Sequence, residues 1–205
     1  MIGRSVTGLS LLVLVAAPLM GGNPNVDYLK KNYGDVPKRV AQEVSAARIL
    51  GSALPEIFSN FEDYKGFAYY TFTGTLPYIF DPLRHRDSVR AGALWETVGK
   101  PVAQTYMKLG GNIKEVDGIR IQIKTASKSS MMPVQPTDTN ETIGYVFTVA
   151  QLRRFLDGEI TTRDLFDRSQ VLFNGANIKV DFAADGVQIE ALARDITTFR
   201  LRTER

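Results

Sequence analysis

Cysteine is absent from the 205 residues, and histidine occurs once, at His85. The first absence removes disulfides, thiolate metal sites and thiol nucleophiles. The second removes every site built on two imidazoles, including the HExxH zinc helix and the two-histidine iron triad. A serine triad would have to use His85 as its base, and no GxSxG turn is present to supply the serine. The dinucleotide fingerprint GxGxxG is also missing. The interval from Gly92 to Gly99-Lys100 is too long for a phosphate loop, and Pro101 stands where that loop needs Ser or Thr. No metal and no cofactor are therefore expected.

An excess of one charge is lacking too. The formal net charge is +3, and it falls to +2 without residues 1–22, which hold Arg4 and no acid. A nucleic-acid binder shows a basic excess or stripe, so no nucleic-acid partner is expected. Hydrophobic residues make up 44% and charged residues 23%, which is enough apolar material for a core without staples.

The amino terminus reads MIGRSVTGLSLLVLVAAPLMGG, with Arg4 as its single charge and an apolar stretch from Leu9 to Met20. A positive start, a short apolar run and small residues after it form a secretory signal. The run is shorter than the roughly 20 residues of a comfortable membrane span. Pro18 directly follows the small residues Val15, Ala16 and Ala17 and spoils the best cleavage point. Residues 1–22 are read as a signal peptide or an amino-terminal anchor, and residues 23–205 as one globular domain. The location expected is periplasmic or secreted. Membrane contact would run only through residues 5–22, if they stay uncleaved.

Residues 23–35 are polar and turn-rich and read as a leader. A helix is expected from Asp35, with Val36, Val40, Val44, Ala47, Leu50, Leu54, Phe58 and Phe61 on one face. Residues 66–73 are aromatic and β-branched, which favours a strand ended by Gly74 and Pro77. A second helical stretch runs from Asp87 to Leu109, interrupted at Gly99 and Pro101. Residues 118–125 alternate strictly and predict a strand with one wet face. A polar excursion over 126–142 precedes a strand at 142–147. Thr148 with Gln151 forms a capping box for a short helix, and Thr161 or Thr162 begins another. Asn174-Gly175 marks a hairpin over 170–182, and two further strands are expected near Val187–Leu192 and Ile196–Leu201. The fold class is α+β, with amino-terminal helices packed on a mostly antiparallel sheet from the carboxy-terminal half.

Two constellations stand out. Arg84, His85, Arg86 and Arg90 form the densest positive cluster, at the start of a predicted helix. A helix amino terminus attracts anions, so these residues are candidates for binding an anion or a partner. Solvated arginines paired with Asp81 and Asp87 are the plainer reading. The aromatic strand carries Tyr69, Tyr70 and, further on, Tyr78. Neighbouring strand residues face opposite ways, so either both sheet faces are covered or one row is offered to a partner. The function expected is an exported, non-enzymatic binding or accessory domain for another protein or a membrane complex. The alternative is a small exported hydrolase using His85 or a carboxylate pair such as Glu62/Asp63, Glu115/Asp117 or Asp157/Glu159.

Overall fold

A computed structural model describes residues 23–51, 55–128 and 139–202. The export signal expected in residues 1–22, Leu54 of the expected helical stripe and the middle of the polar excursion lie outside these residues.

The segment read as a leader is a helix, α1 (Pro24–Tyr33). The Asn23 side chain accepts from the Asn25 N–H, and Pro24 opens the first turn, where no N–H is needed. Only Val26 and Leu29 are buried on it, so its apolar signal was too thin to register. Helix α2 (Asp35–Ala46) buries Val36, Val40 and Val44 as the stripe predicts. It ends earlier than expected. Arg48 and Gly51 adopt left-handed φ values of 50° and 66°, and the chain leaves the helix there. Phe58 and Phe61 belong instead to strand β1 (Ile57–Tyr64). The helical spacing ran on by coincidence through a turn.

Lys65 and Gly66, with φ of 57° and 85°, join β1 to β2 (Phe67–Phe80) in a tight hairpin. Neither Gly74 nor Pro77 ends β2. Gly74 lies against Leu50, whose Cδ1 a Cβ would meet at 2.7 Å. Pro77 falls within a register shift between Thr75 and Ile79, where it withholds nothing from a regular ladder. The chain then crosses over through α3 (Asp87–Leu94), a π-helical turn (Trp95–Gly99) and α4 (Lys100–Gly110). The expected interruption is thus a change of helical register, not a gap. The crossover lets β3 (Gly118–Ser127) pair parallel to β2.

Strand β4 (Thr139–Thr148) pairs antiparallel with β3. The expected capping box of Thr148 with Gln151 forms before α5 (Val149–Leu156), and a second box, Thr161 with Asp164, opens α6 (Thr162–Asp167). Asn174 and Gly175, at φ 48° and 83°, turn β5 (Gln170–Phe173) into β6 (Ala176–Asn177). The hairpin arm is shorter than the alternation of Ile178, Val180 and Phe182 implied. The Asp181 carboxylate accepts from the Ala183 and Ala184 N–H groups and starts α7 (Phe182–Arg202). Both carboxy-terminal strand expectations are therefore overturned. Ile189, Leu192 and Ile196 recur at helical spacing and are buried along α7.

Among the described residues the sheet runs β1-β2-β3-β4-β5-β6, antiparallel except at β2/β3. The fold is α+β with a mostly antiparallel sheet, as expected, and β1 and β2 bring the amino-terminal half into it. Phe61, Tyr70, Phe72, Ile119, Ile121, Ile123, Ile143, Tyr145 and Phe147 share one sheet face and join the buried helix residues in a single core.

Candidate functional site

The four basic-cluster residues do meet at the start of α3, and their charges are largely consumed there. Arg84 lies 3.5 Å from Asp81. Arg86 pairs with Asp185, whose other oxygen accepts from Ser88 Oγ at 2.7 Å. Arg90 is 3% exposed and donates to Glu141 and to Asp87. Three guanidinium groups thus face four carboxylates, which leaves little attraction for an external anion.

His85 Nδ1 is buried without a hydrogen-bond partner among the described residues. Burial pushes its imidazole below the usual range. Asp81 and Asp195 oppose that shift, and Arg90 and Arg84 add to it. A histidine held neutral by the fold takes up protons more readily once unfolded. Its contribution to stability is full above about pH 6.5 and is lost as pH falls through the lowered folded value. Replacing His85 by Gln should flatten the stability profile between about pH 7 and pH 5, read by urea unfolding at each pH. An unchanged slope would contradict the assignment.

The three tyrosines do not converge. Tyr70 is fully buried, stacked on Tyr106 at 4.1 Å with its hydroxyl 2.9 Å from Ser59 Oγ, so it is unavailable to a partner. Burial raises its phenol well above the usual range. Tyr69 points to the opposite sheet face. Its ring lies over Gly118, where a Cβ would meet it at 2.3 Å, and packs on Tyr64 at 5.3 Å. The Arg120 guanidinium covers Tyr64 in turn, at 5.0 Å. That face is therefore partly closed by its own side chains lying flat. Tyr78 contacts Phe80 and Phe199, at 4.9 and 5.4 Å.

The carboxylate pairs serve local structure. Asp63 accepts from the Gly66 N–H in the hairpin, and Asp117 accepts from Ala68 N–H at 2.8 Å. Glu159 pairs with Arg154 at 3.0 Å.

A groove that the sequence reading missed lies between α7 and the π-helical turn. Its origin can be followed residue by residue. A Cβ at Gly92 would meet Ile189 Cδ1 at 2.6 Å, so glycine there lets α3 and α7 pack closely. Beyond Leu94 the helix loosens to π register. The Trp95 ring fills the space a Cβ on Gly99 would take, at 2.7 Å. Pro101 brings no N–H to the carbonyl four residues earlier, and Arg200 of α7 donates to that Thr97 oxygen at 2.9 Å. The two helices are thus tied at both ends, and between the ties a space of about 480 Å³ opens beside Glu96. Phe182, Ile189 and Ala193 give it an apolar floor, and Glu96, Glu190 and Arg194 a charged rim. Gly186 also lines it, and a Cβ there would meet nothing within 4 Å.

Glycine inside a helix costs about 1 kcal/mol relative to alanine. Gly186→Ala should therefore raise folding stability by roughly 0.5–1 kcal/mol, measured by chemical denaturation. A loss of stability would show that the position needs glycine for the backbone. The signal for this site was present in the sequence, as Asp181 followed by Ile189, Leu192 and Ile196 at helical spacing. It was masked by the alternation just before it.

Among the described residues no group of three or more His, Asp or Glu side chains is placed to hold a metal, and no helix is long and apolar enough to cross a membrane. No protein-family model matches the chain, and no curated protein or solved structure does so either.

Proposed function

We propose that this chain is an exported, non-enzymatic binding or accessory domain that holds a segment of another protein, free or within a membrane complex, in the groove beside α7. The observation that carries this reading is the groove itself: an apolar floor, a charged rim and an unfilled position at Gly186. Ligand sites combine these features, an apolar body with a few polar groups for orientation. The groove lining contains no hydroxyl, thiol or imidazole to act as nucleophile or base. Export rests on the charge and apolarity of residues 1–22.

A hydrolase remains the second reading because Glu96 and Glu190 border the same groove. Glu190 is exposed and Glu96 lies 3.5 Å from Lys100, so neither has the water-excluded surroundings that acid–base chemistry uses.

The test is a photoreactive phenylalanine placed at Ala193 of the full chain and irradiated in the producing cell. A discrete protein adduct, absent when the probe is moved to exposed Lys108 on α4, supports the reading. No adduct at Ala193, or recovery of the protein from the cytoplasm alone, overturns it. Hydrolytic activity lost in both Glu96→Gln and Glu190→Gln would favour the second reading.

A further inference from the structure

We infer that Gly186 is the specificity-determining position of this groove, the seat for one apolar side chain of a peptide segment that also carries a basic residue beside it. The inference rests on the binding reading and adds the chemistry of the occupant.

The described glycines generally have a visible reason. Gly66, Gly158 and Gly175 adopt left-handed φ values. Gly92, Gly99 and Gly118 stand where a Cβ would collide within 3.0 Å of a neighbour. Gly144 is an exception, since its Cβ would make only ordinary contact with Leu172 at 3.5 Å. Gly186 alone among them combines an unstrained φ with open space on every side. It lies inside α7, where glycine weakens the helix. Nothing within the described chain gains from the missing side chain. The open space there faces the groove whose apolar floor includes Phe182 and Ile189, both side chains more than 4 Å from where a Cβ would stand. An exposed apolar floor is covered by an apolar side chain from outside.

The rim selects what flanks that knob. Glu190 and Arg194 stand four residues apart on α7, in the order that favours a helix ion pair. No ion pair joins them to each other or to any other described residue. Glu96, on the opposite wall, is already paired with Lys100 at 3.5 Å. The rim therefore offers an unused carboxylate near Gly186 and an unused guanidinium one turn further on. The segment that fits is short, with a basic residue beside the apolar one and an acidic group or carboxylate beyond it.

A random-peptide phage library panned on the immobilised full chain tests this. Wild type should enrich peptides with a basic residue adjacent to a Leu-, Ile- or Phe-like one. Gly186→Leu fills the seat and should reduce retention of those peptides about tenfold or more, the scale on which apolar pockets discriminate by size. Its melting temperature is measured in parallel. If it fails to fold, Glu190→Lys supplies the decision, since that exposed charge reversal should shift enrichment from basic to acidic peptides. Enrichment that is unchanged in the folded Gly186→Leu protein or in Glu190→Lys overturns the inference, and so does the absence of any enriched motif. An Ala193 adduct in cells that persists in Gly186→Leu would sink this inference and leave the binding reading standing. Loss of the adduct in wild type would sink both.

Discussion

Arg90→Ala should remove about 3–5 kcal/mol of folding stability, because it strands a buried carboxylate. Arg90 and Glu141 are 3% and 6% exposed, and the guanidinium donates to both oxygens of the Glu141 carboxylate. The Arg90 guanidinium also stacks on Phe173, at 4.7 Å, so alanine forfeits packing as well as charge. Asp87, the third member, is 48% exposed and can be solvated when its partner goes. Glu141 cannot. The paired replacement Arg90→Met with Glu141→Leu should recover most of the loss, since apolar residues of similar size avoid both desolvation costs. Urea unfolding of the three proteins decides the matter. A loss below about 1 kcal/mol for Arg90→Ala would mean that water reaches Glu141.

Trp95→Ala should cost a similar amount, about 3–5 kcal/mol, through the cavity it opens. Trp95 is fully buried and packs against Tyr145, Phe147, Phe155 and Phe166, at 5.4, 5.0, 6.0 and 5.5 Å. The ring touches Phe155 of α5, Phe166 of α6, and Tyr145 and Phe147 of β4. Its Nε1 has no hydrogen-bond partner among the described residues. Trp95→Phe should therefore be much milder than Trp95→Ala, because it keeps an aromatic body and removes a buried donor that gains nothing. Equal losses for the two substitutions, measured by denaturant titration, would show that the indole nitrogen is paired after all.

Local rules carried much of the fold. The Thr148–Gln151 capping box, the helix start at Thr161, the Asn174-Gly175 turn and the Ile119-Ile121-Ile123 alternation all form as predicted. Each depends on residues within a few positions of one another, where hydrogen-bond geometry and side-chain direction are set by the chain itself. The failures came where one pattern ran into another. The α2 stripe was extended through Leu50 into β1, although the left-handed turn at Arg48 and Gly51 ends the helix. The alternation of Ile178, Val180 and Phe182 was carried into α7, although Asp181 caps a helix there.

The candidate site was less legible for the same reason. The basic cluster could be seen, but not that Asp185 and Glu141, 99 and 51 residues away in sequence from their arginine partners, would absorb its charge. The tyrosines could be seen as strand residues facing opposite ways, but not that Gly118 lets Tyr69 lie flat.

By itself, then, the sequence determined the absences, the α+β class and the short elements governed by caps and turns, because those follow from composition and near-neighbour geometry. Only the tertiary structure decided which charges are spent and where space is left. Ion pairing and cavity formation depend on contacts between distant segments, and Gly186 shows the difference. In the sequence it is an ordinary glycine after Asp185. Against the π-helical turn it becomes the opening of a groove.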